Sequence, residues 1–173
     1  SDRERVASLV ERQPPHVPII RLMSQQAHKR PYIARVAATA ADLEGAFAVR
    51  WRVFVEGQGV PAELERDAHD GAAIHAIAEA GGAVVAAGRL IVENGAPRIG
   101  RIAVLPDWRR QGVAGSLLDV LEREAAAAGH SAVGLHSQEY IQALYAARGY
   151  VVTGAPFVEA GIDHLPMEKR LTS

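Results

Sequence analysis

The stretch Arg109-Arg110-Gln111-Gly112-Val113-Ala114-Gly115 constrains this chain more than any other. It follows an apolar run, Ile102-Ala103-Val104-Leu105, and opens an amphipathic segment. There Leu117, Leu118, Leu121 and Ala125 share one helical face, while Asp119, Glu122 and Arg123 point away. A strand, a glycine-bearing turn and a helix in that order build an anion site. The first N–H groups of a helix lack internal partners and carry the positive end of its dipole. Glycine lets a phosphate approach the backbone closely, and arginine adds forked donors. Arg109 and Arg110 also read as solvated charges, but cations at a helix start oppose the dipole unless an anion sits there. The expected ligand therefore bears phosphate, a pyrophosphate first.

The flanking pattern gives the fold class. Tyr32 to Ala37 reads as a strand, and Thr39 caps a helix over Asp42 to Phe54. Three strands follow: Ile74 to Glu79, Ala83 to Glu93 and Arg98 to Val104. They turn at Ala80-Gly81-Gly82 and at the hairpin signal Asn94-Gly95. This meander runs into the helix after Gly112, which Gly129 ends, and into a strand at Ala132 to His136. Strand, helix, strand in this order predicts a right-handed parallel crossover. A helix over Glu139 to Arg148, stopped by Gly149, and strands at Tyr150 to Thr153 and His164 to Leu171 complete the pattern. The expected class is α/β (α+β), a mixed, mostly antiparallel sheet with flanking helices and the anion loop at the end of the crossover's first strand, where open sheets place ligands. Residues 1–31 form an extension, with a short helix over 1–12 and an irregular arm over 13–31; residues 32–173 form one domain.

Composition narrows the ligand further. The 173 residues carry a net charge of −1, so no bulk electrostatic attraction to nucleic acid or an anionic membrane is expected. The absence of cysteine excludes disulfides, thiolate metal sites and a cysteine nucleophile. No apolar stretch approaches the roughly 20 residues of a bilayer span, and the charged start Ser1-Asp2-Arg3-Glu4-Arg5 leads into no signal-like run. A cytoplasmic protein is the expectation. The P-loop pattern G-x-x-x-x-G-K-[ST] is missing, and Gly112 and Gly115 do not have dinucleotide-binding spacing.

Two motifs remain: Arg109-x-x-Gly112-x-Ala114 after Ile102-Ala103-Val104, and Tyr145-Ala146-Ala147-Arg148-Gly149-Tyr150 closing the later helix. Together they resemble the GNAT superfamily of acyl-CoA-dependent N-acetyltransferases, whose signature is [R/Q]-x-x-G-x-[G/A] followed by Tyr-x-x-x-Gly-[Phe/Tyr]. The likeness runs from about Tyr32 to Leu171. The segments from Val53 to Pro61 and from Glu159 to Met167 resemble the bacterial ElaA-like branch, with Asp163 where that branch reads Gly-Ile-Pro-His. The resemblance implies a sheet of six to seven strands with a splayed parallel pair. It also implies that the backbone from Arg110 to Gly115, with Arg109 and Ser116 (and so Gln111, Gly112, Val113 and Ala114), holds the pyrophosphate of acetyl-CoA. Ile102, Ala103 and Val104 would pair with the pantetheine arm, with an N–H near Val104 polarising the acyl carbonyl. Tyr145 would be the general acid facing the sulfur, though a core aromatic is its bland reading, which Tyr150 fits better.

The implied reaction is direct attack of a primary amine of a small molecule or peptide on the thioester. Such an amine is mostly protonated at neutral pH, so a base is needed. Glu56, Glu63, Glu65 and Asp70 are candidates, each more often a solvated surface acid. His75 and His164 are candidates that titrate near neutrality. These acids hint at a cationic acceptor. His69 and His75 lack a metal-site spacing, so no metal is expected. Arg89 and Arg101 face solvent or pair with acids, Trp108 covers the core edge, and Trp51 and Phe54 pack into the core. A non-catalytic CoA-binding sensor or assembly domain and a nucleotide-binding protein of another fold stay open as alternatives. Family habit makes a homodimer an open expectation.

Overall fold

A computed structural model describes residues 29–172, so the two expectations for residues 1–12 and 13–31 lie almost wholly outside the described residues. The elements are β1 (Ile33–Val36), α1 (Ala40–Arg50), α2 (Ala62–Glu65), β2 (Ile74–Ala80), β3 (Ala83–Glu93), β4 (Ala96–Val104), α3 (Val113–Ala127), β5 (Ala132–Gln138), α4 (Gln142–Ala147), β6 (Val151–Val152), β7 (Phe157–Glu159) and β8 (Ile162–Arg170). They form one eight-stranded sheet in the order β1-β2-β3-β4-β5-β8-β6, with β7 on β8. All neighbours are antiparallel except β4 and β5.

The expected elements are present with shifted ends. Thr39 caps α1 reciprocally with Asp42, as its position before the apolar pattern required. The expected helix over Asp42 to Phe54 ends as α-helix at Arg50 and continues as a π turn, Trp51–Glu56. Phe54 is buried but Trp51, where the π turn begins, is 46% exposed, against the expectation that both are core. The helix expected over Glu139 to Arg148 is a 3₁₀ turn, Glu139–Ile141, followed by α4. Strand β7 lies inside what reads as a connecting segment.

Alternation along the strands divides the core between the two faces. Ala76 and Ala78 of β2 face the cluster built by α3 through Val113, Leu117, Leu118, Val120, Leu121 and Ala125; Ile77 faces Ala46 of α1. Val133 and Leu135 of β5, Met167 of β8, and Tyr145 and Tyr150 join the α3 side. Val49, Val53, Phe54 and Val60 make a smaller core on the other face.

Candidate active site

The parallel pair β4 and β5 is joined only at Arg98↔Gly134 and Ile99↔Leu135. Beyond this the strands separate, and the cause lies in β4. Between Ala87↔Ala103 and Arg89↔Gly100 the register slips, leaving one extra residue on β4. Arg101 takes the left-handed conformation at φ 53° to absorb it. A bulge bends its strand and increases its twist, and here it turns β4 away from β5. Gly88 sits opposite, where a Cβ would stand 2.6 Å from the Ile102 Cδ1.

The gap opens into a cleft of about 390 Å³, lined on one side by Phe54, Val60, Leu64 and Arg101 and on the other by His136, Gln138, Tyr140, Glu159, Ile162 and His164, with Tyr145 at its floor. The edge of β4 facing it carries free backbone groups. Leu105 donates to the Val85 carbonyl across β3. Antiparallel alternation therefore turns Ala103 toward β3 and turns Ile102 and Val104 toward the cleft. Arg109 donates through Nε to the Val104 carbonyl at 3.1 Å, so that carbonyl already has a partner.

The turn after β4 is tightly curled. Arg110 at φ 60° and Gly112 at φ 82° are left-handed, and Gly112 is the N-cap of α3 without a side-chain cap. Among the described residues, the amides of Arg110, Gln111, Gly112, Val113, Ala114 and Gly115 donate to no protein acceptor. Successive outward amides of this kind form an anion-binding concavity. Ser116 differs: its amide donates to the Gly112 carbonyl at 3.1 Å, and its hydroxyl meets Tyr32 Oη at 2.8 Å. Gly115 leaves room for Arg148, whose Nη1 would lie 2.9 Å from a Cβ placed there.

Tyr145 is 5% exposed and packs edge-on against Tyr150 with ring centres 5.8 Å apart. Burial, with a smaller contribution from Tyr140, pushes its phenol well above the usual tyrosine value, so the O–H stays protonated. Tyr150 instead donates to Glu122 at 2.9 Å, which ties the end of α4 to α3.

The acid-rich loop is not a row of solvated carboxylates. Arg50, 1% exposed, donates from Nε to Glu65 Oε1 (2.6 Å), from Nη1 to Asp70 Oδ1 (2.7 Å), and from Nη2 to the Glu65 carbonyl (2.9 Å). Arg89 bridges Asp67 and Asp70 at 2.6 and 2.8 Å. Arg101 donates to the carbonyls of Glu65 and Leu64 at 3.0 and 3.1 Å. Burial alone would raise the Asp70 carboxyl, but the hydrogen bond from Arg50 and the Asp67 amide hold it well below the usual range. The Arg89 hydrogen bond lowers Asp67 against desolvation. Burial lowers Arg101, helped by Arg89 and Arg50. Glu65 and Asp70 are thus buried ion-pair partners, correcting their reading as surface acids, and neither is free to act as a base.

His75 also leaves the list of bases. It is buried away from the cleft, with Nε2 2.9 Å from the Asp70 carbonyl and its ring against Phe47 at 5.6 Å. Glu63 and His164 do line the cleft. His136 and Glu159 join them; neither is among the candidate bases read from the sequence, although Glu159 opens the segment that resembles the ElaA-like branch. Alternation in β5 places His136 on the face opposite Leu135, and the pairing of β7 with β8 brings Glu159 beside it. Their separation in sequence left no signal that the two meet. Among the described residues no group of three or more His, Cys, Asp or Glu is arranged to hold a metal ion, and no helix is long and apolar enough to cross a membrane.

Comparison with known proteins gives the family and the fold. The family model for the acetyltransferase (GNAT) domain matches residues 34–171. An uncharacterised N-acetyltransferase of Bacillus subtilis (strain 168), YjcF, is 38% identical over 137 residues, 79% of this chain and 98% of that protein. Among solved structures, Escherichia coli ElaA superposes with a TM-score of 0.69 at 22% identity, covering 80% of this chain and 98% of its own. A GNAT family acetyltransferase from Elizabethkingia anophelis with acetyl-CoA bound gives 0.64 at 16%, covering 81% and 98%. The splayed strands, the curled turn and the family match agree, and the chain belongs to the GNAT acetyltransferase family.

Proposed function

We propose that the protein moves an acetyl group from acetyl-CoA to a primary amine by direct attack in the cleft between β4 and β5. The observation that carries this is the run of six amides from Arg110 to Gly115, unpaired among the described residues, beside a cleft that ends at Tyr145. Those amides and the N-terminal dipole of α3 would hold the pyrophosphate. The outward groups of Ile102 and Val104 would bond the pantetheine amides as an added strand does, with the Val104 N–H as donor to the acyl oxygen. The Tyr145 O–H would stabilise the departing thiolate by a charge-assisted hydrogen bond. Its burial disfavours a phenolate, so the hydroxyl serves as donor to the sulfur rather than as an acid left ionised. The bound acetyl-CoA of the Elizabethkingia anophelis protein supports acetyl-CoA as the donor.

Thermal unfolding tests this directly. CoA at 100 times its Kd should add about 2.7 kcal/mol, which is several degrees in Tm for a chain of this size. ATP and NAD should add nothing. Thiol release from acetyl-CoA in a panel of primary amines reads turnover. No stabilisation by CoA overturns the reading; stabilisation without transfer to any amine leaves a CoA-binding module.

A further inference from the structure

We propose that His164 and Glu159, with His136 as a positioning residue, form the proton-accepting station for the amine, entering the cleft from the face opposite Tyr145. The inference rests on the acyl-transfer reading above and assigns the base which that reading leaves unnamed.

The geometry is set by strand pairing. His164 on β8 lies between Gln138 of β5 and Phe157 of β7. Its Nδ1 lies 2.7 Å from the Ile162 carbonyl, an acceptor only, so Nδ1 carries the proton and Nε2 keeps its lone pair. Glu159 Oε2 lies 3.9 Å from that Nε2 and 3.4 Å from His136 Nδ1. The His136 hydrogen bond holds the Glu159 carboxyl below its usual range, so it is ionised at neutral pH. Phe157 packs against both imidazoles, edge-on to His136 at 4.8 Å and stacked on His164 at 5.9 Å, and keeps the rings in place. Arg98 Nη1, 3.2 Å from His136 Nδ1, competes with Glu159 for that nitrogen.

The opposite walls have opposite chemistry. Tyr145 belongs to the core of the α3 face, whereas His136 and His164 alternate with Leu135 and Met167 onto the other. Across the cleft, Asp67 and Glu65 are held by Arg89 and Arg50, and Arg101 by carbonyls; Glu63 and Tyr140 also line the cleft. Glu159 is therefore the anion nearest an unprotonated imidazole nitrogen. The ammonium of the acceptor pairs with Glu159 and yields one proton to His164 Nε2. The freed lone pair forms the C–N bond, the C–S bond breaks, and the second N–H proton passes through solvent to the thiolate that Tyr145 holds. His164 returns its proton to solvent.

The test compares two acceptors with acetyl-CoA: n-butylamine, an ammonium at pH 7, and hydroxylamine, already neutral there. His164→Asn keeps a donor for the Ile162 carbonyl but lacks Nε2. It should lose 10²- to 10³-fold in kcat/KM with n-butylamine and stay within threefold of wild type with hydroxylamine. Glu159→Gln should raise KM for n-butylamine alone, since the ammonium loses its counter-charge. For His164→Asn, equal losses with both acceptors or no loss with either overturns the assignment, as does an unmutated enzyme that transfers to hydroxylamine and not to n-butylamine. Transfer by the unmutated enzyme to neither of these nor to any amine of the wider panel, with CoA still bound, overturns the acyl-transfer reading and the assignment with it.

Discussion

At the scale of single residues, the site separates groups that hold the fold from groups left free to react. Arg50 satisfies four acceptors while 1% exposed, so its charge is committed to the loop that walls the cleft. Removing one partner of a buried pair leaves uncompensated charge and typically costs 3–5 kcal/mol. Arg50→Met should therefore lower stability by about 3–5 kcal/mol in urea unfolding and abolish acyl transfer through the loop, with no change expected in the amides of Arg110 to Gly115. Tyr145 is the reverse case. Its hydroxyl lines the cleft and, among the described residues, makes no hydrogen bond, so Tyr145→Phe removes little packing. The expected outcome is a drop in kcat of about 10²-fold with the CoA Kd unchanged by calorimetry. Unchanged turnover would remove Tyr145 from the chemistry.

At the scale of elements, the turn into α3 depends on backbone shape more than on side chains. Gly112 at φ 82° caps the helix in a conformation that a Cβ penalises. Its nearest neighbour to a Cβ is the Tyr32 hydroxyl at 4.0 Å, so strain rather than a clash is the cost. Gly112→Ala should cost about 1–2 kcal/mol of stability and weaken CoA binding by more than it weakens folding, because relaxing φ rotates the amides out of the concavity. Parallel CoA titrations and urea melts of wild type and variant check the ratio. This element was legible in the chain because glycine spacing and the apolar periodicity of α3 are local signals. So were the Thr39 cap and the hairpin at Asn94-Gly95, whose residues are both left-handed. The π turn at Trp51 and the strand Phe157–Glu159 were not, since one interrupts a continuous helical pattern without a local signal and the other is three residues long and exists only by pairing with β8.

At the scale of the whole molecule, the splay of β4 from β5 joins these parts, and residues of the arginine–carboxylate network wall one side of it. Arg50 from α1, Arg89 from β3 and Arg101 from β4 converge on Glu65, Asp67 and Asp70 of one loop. Sequence spacing shows the acids as a cluster but cannot show that arginines 15 to 36 residues away meet them, which is why they read as solvated. The network makes acid stability a property of the fold. Asp70 and Asp67 have carboxyls held below their ordinary value of 3.8 by Arg50 and Arg89. A carboxyl depressed in the folded state binds fewer protons there than in the unfolded chain. Its contribution is complete above the unfolded value and is lost as pH falls below it toward the folded one. Thermal unfolding between pH 7 and 5 should therefore be nearly independent of these two groups, and Tm should fall steeply below about pH 4. Asp70→Asn lowers Tm at pH 7, because Arg50 and Arg89 lose a charged partner, and flattens the drop below pH 4. A variant whose Tm falls in parallel with wild type through that window would place the acid sensitivity elsewhere.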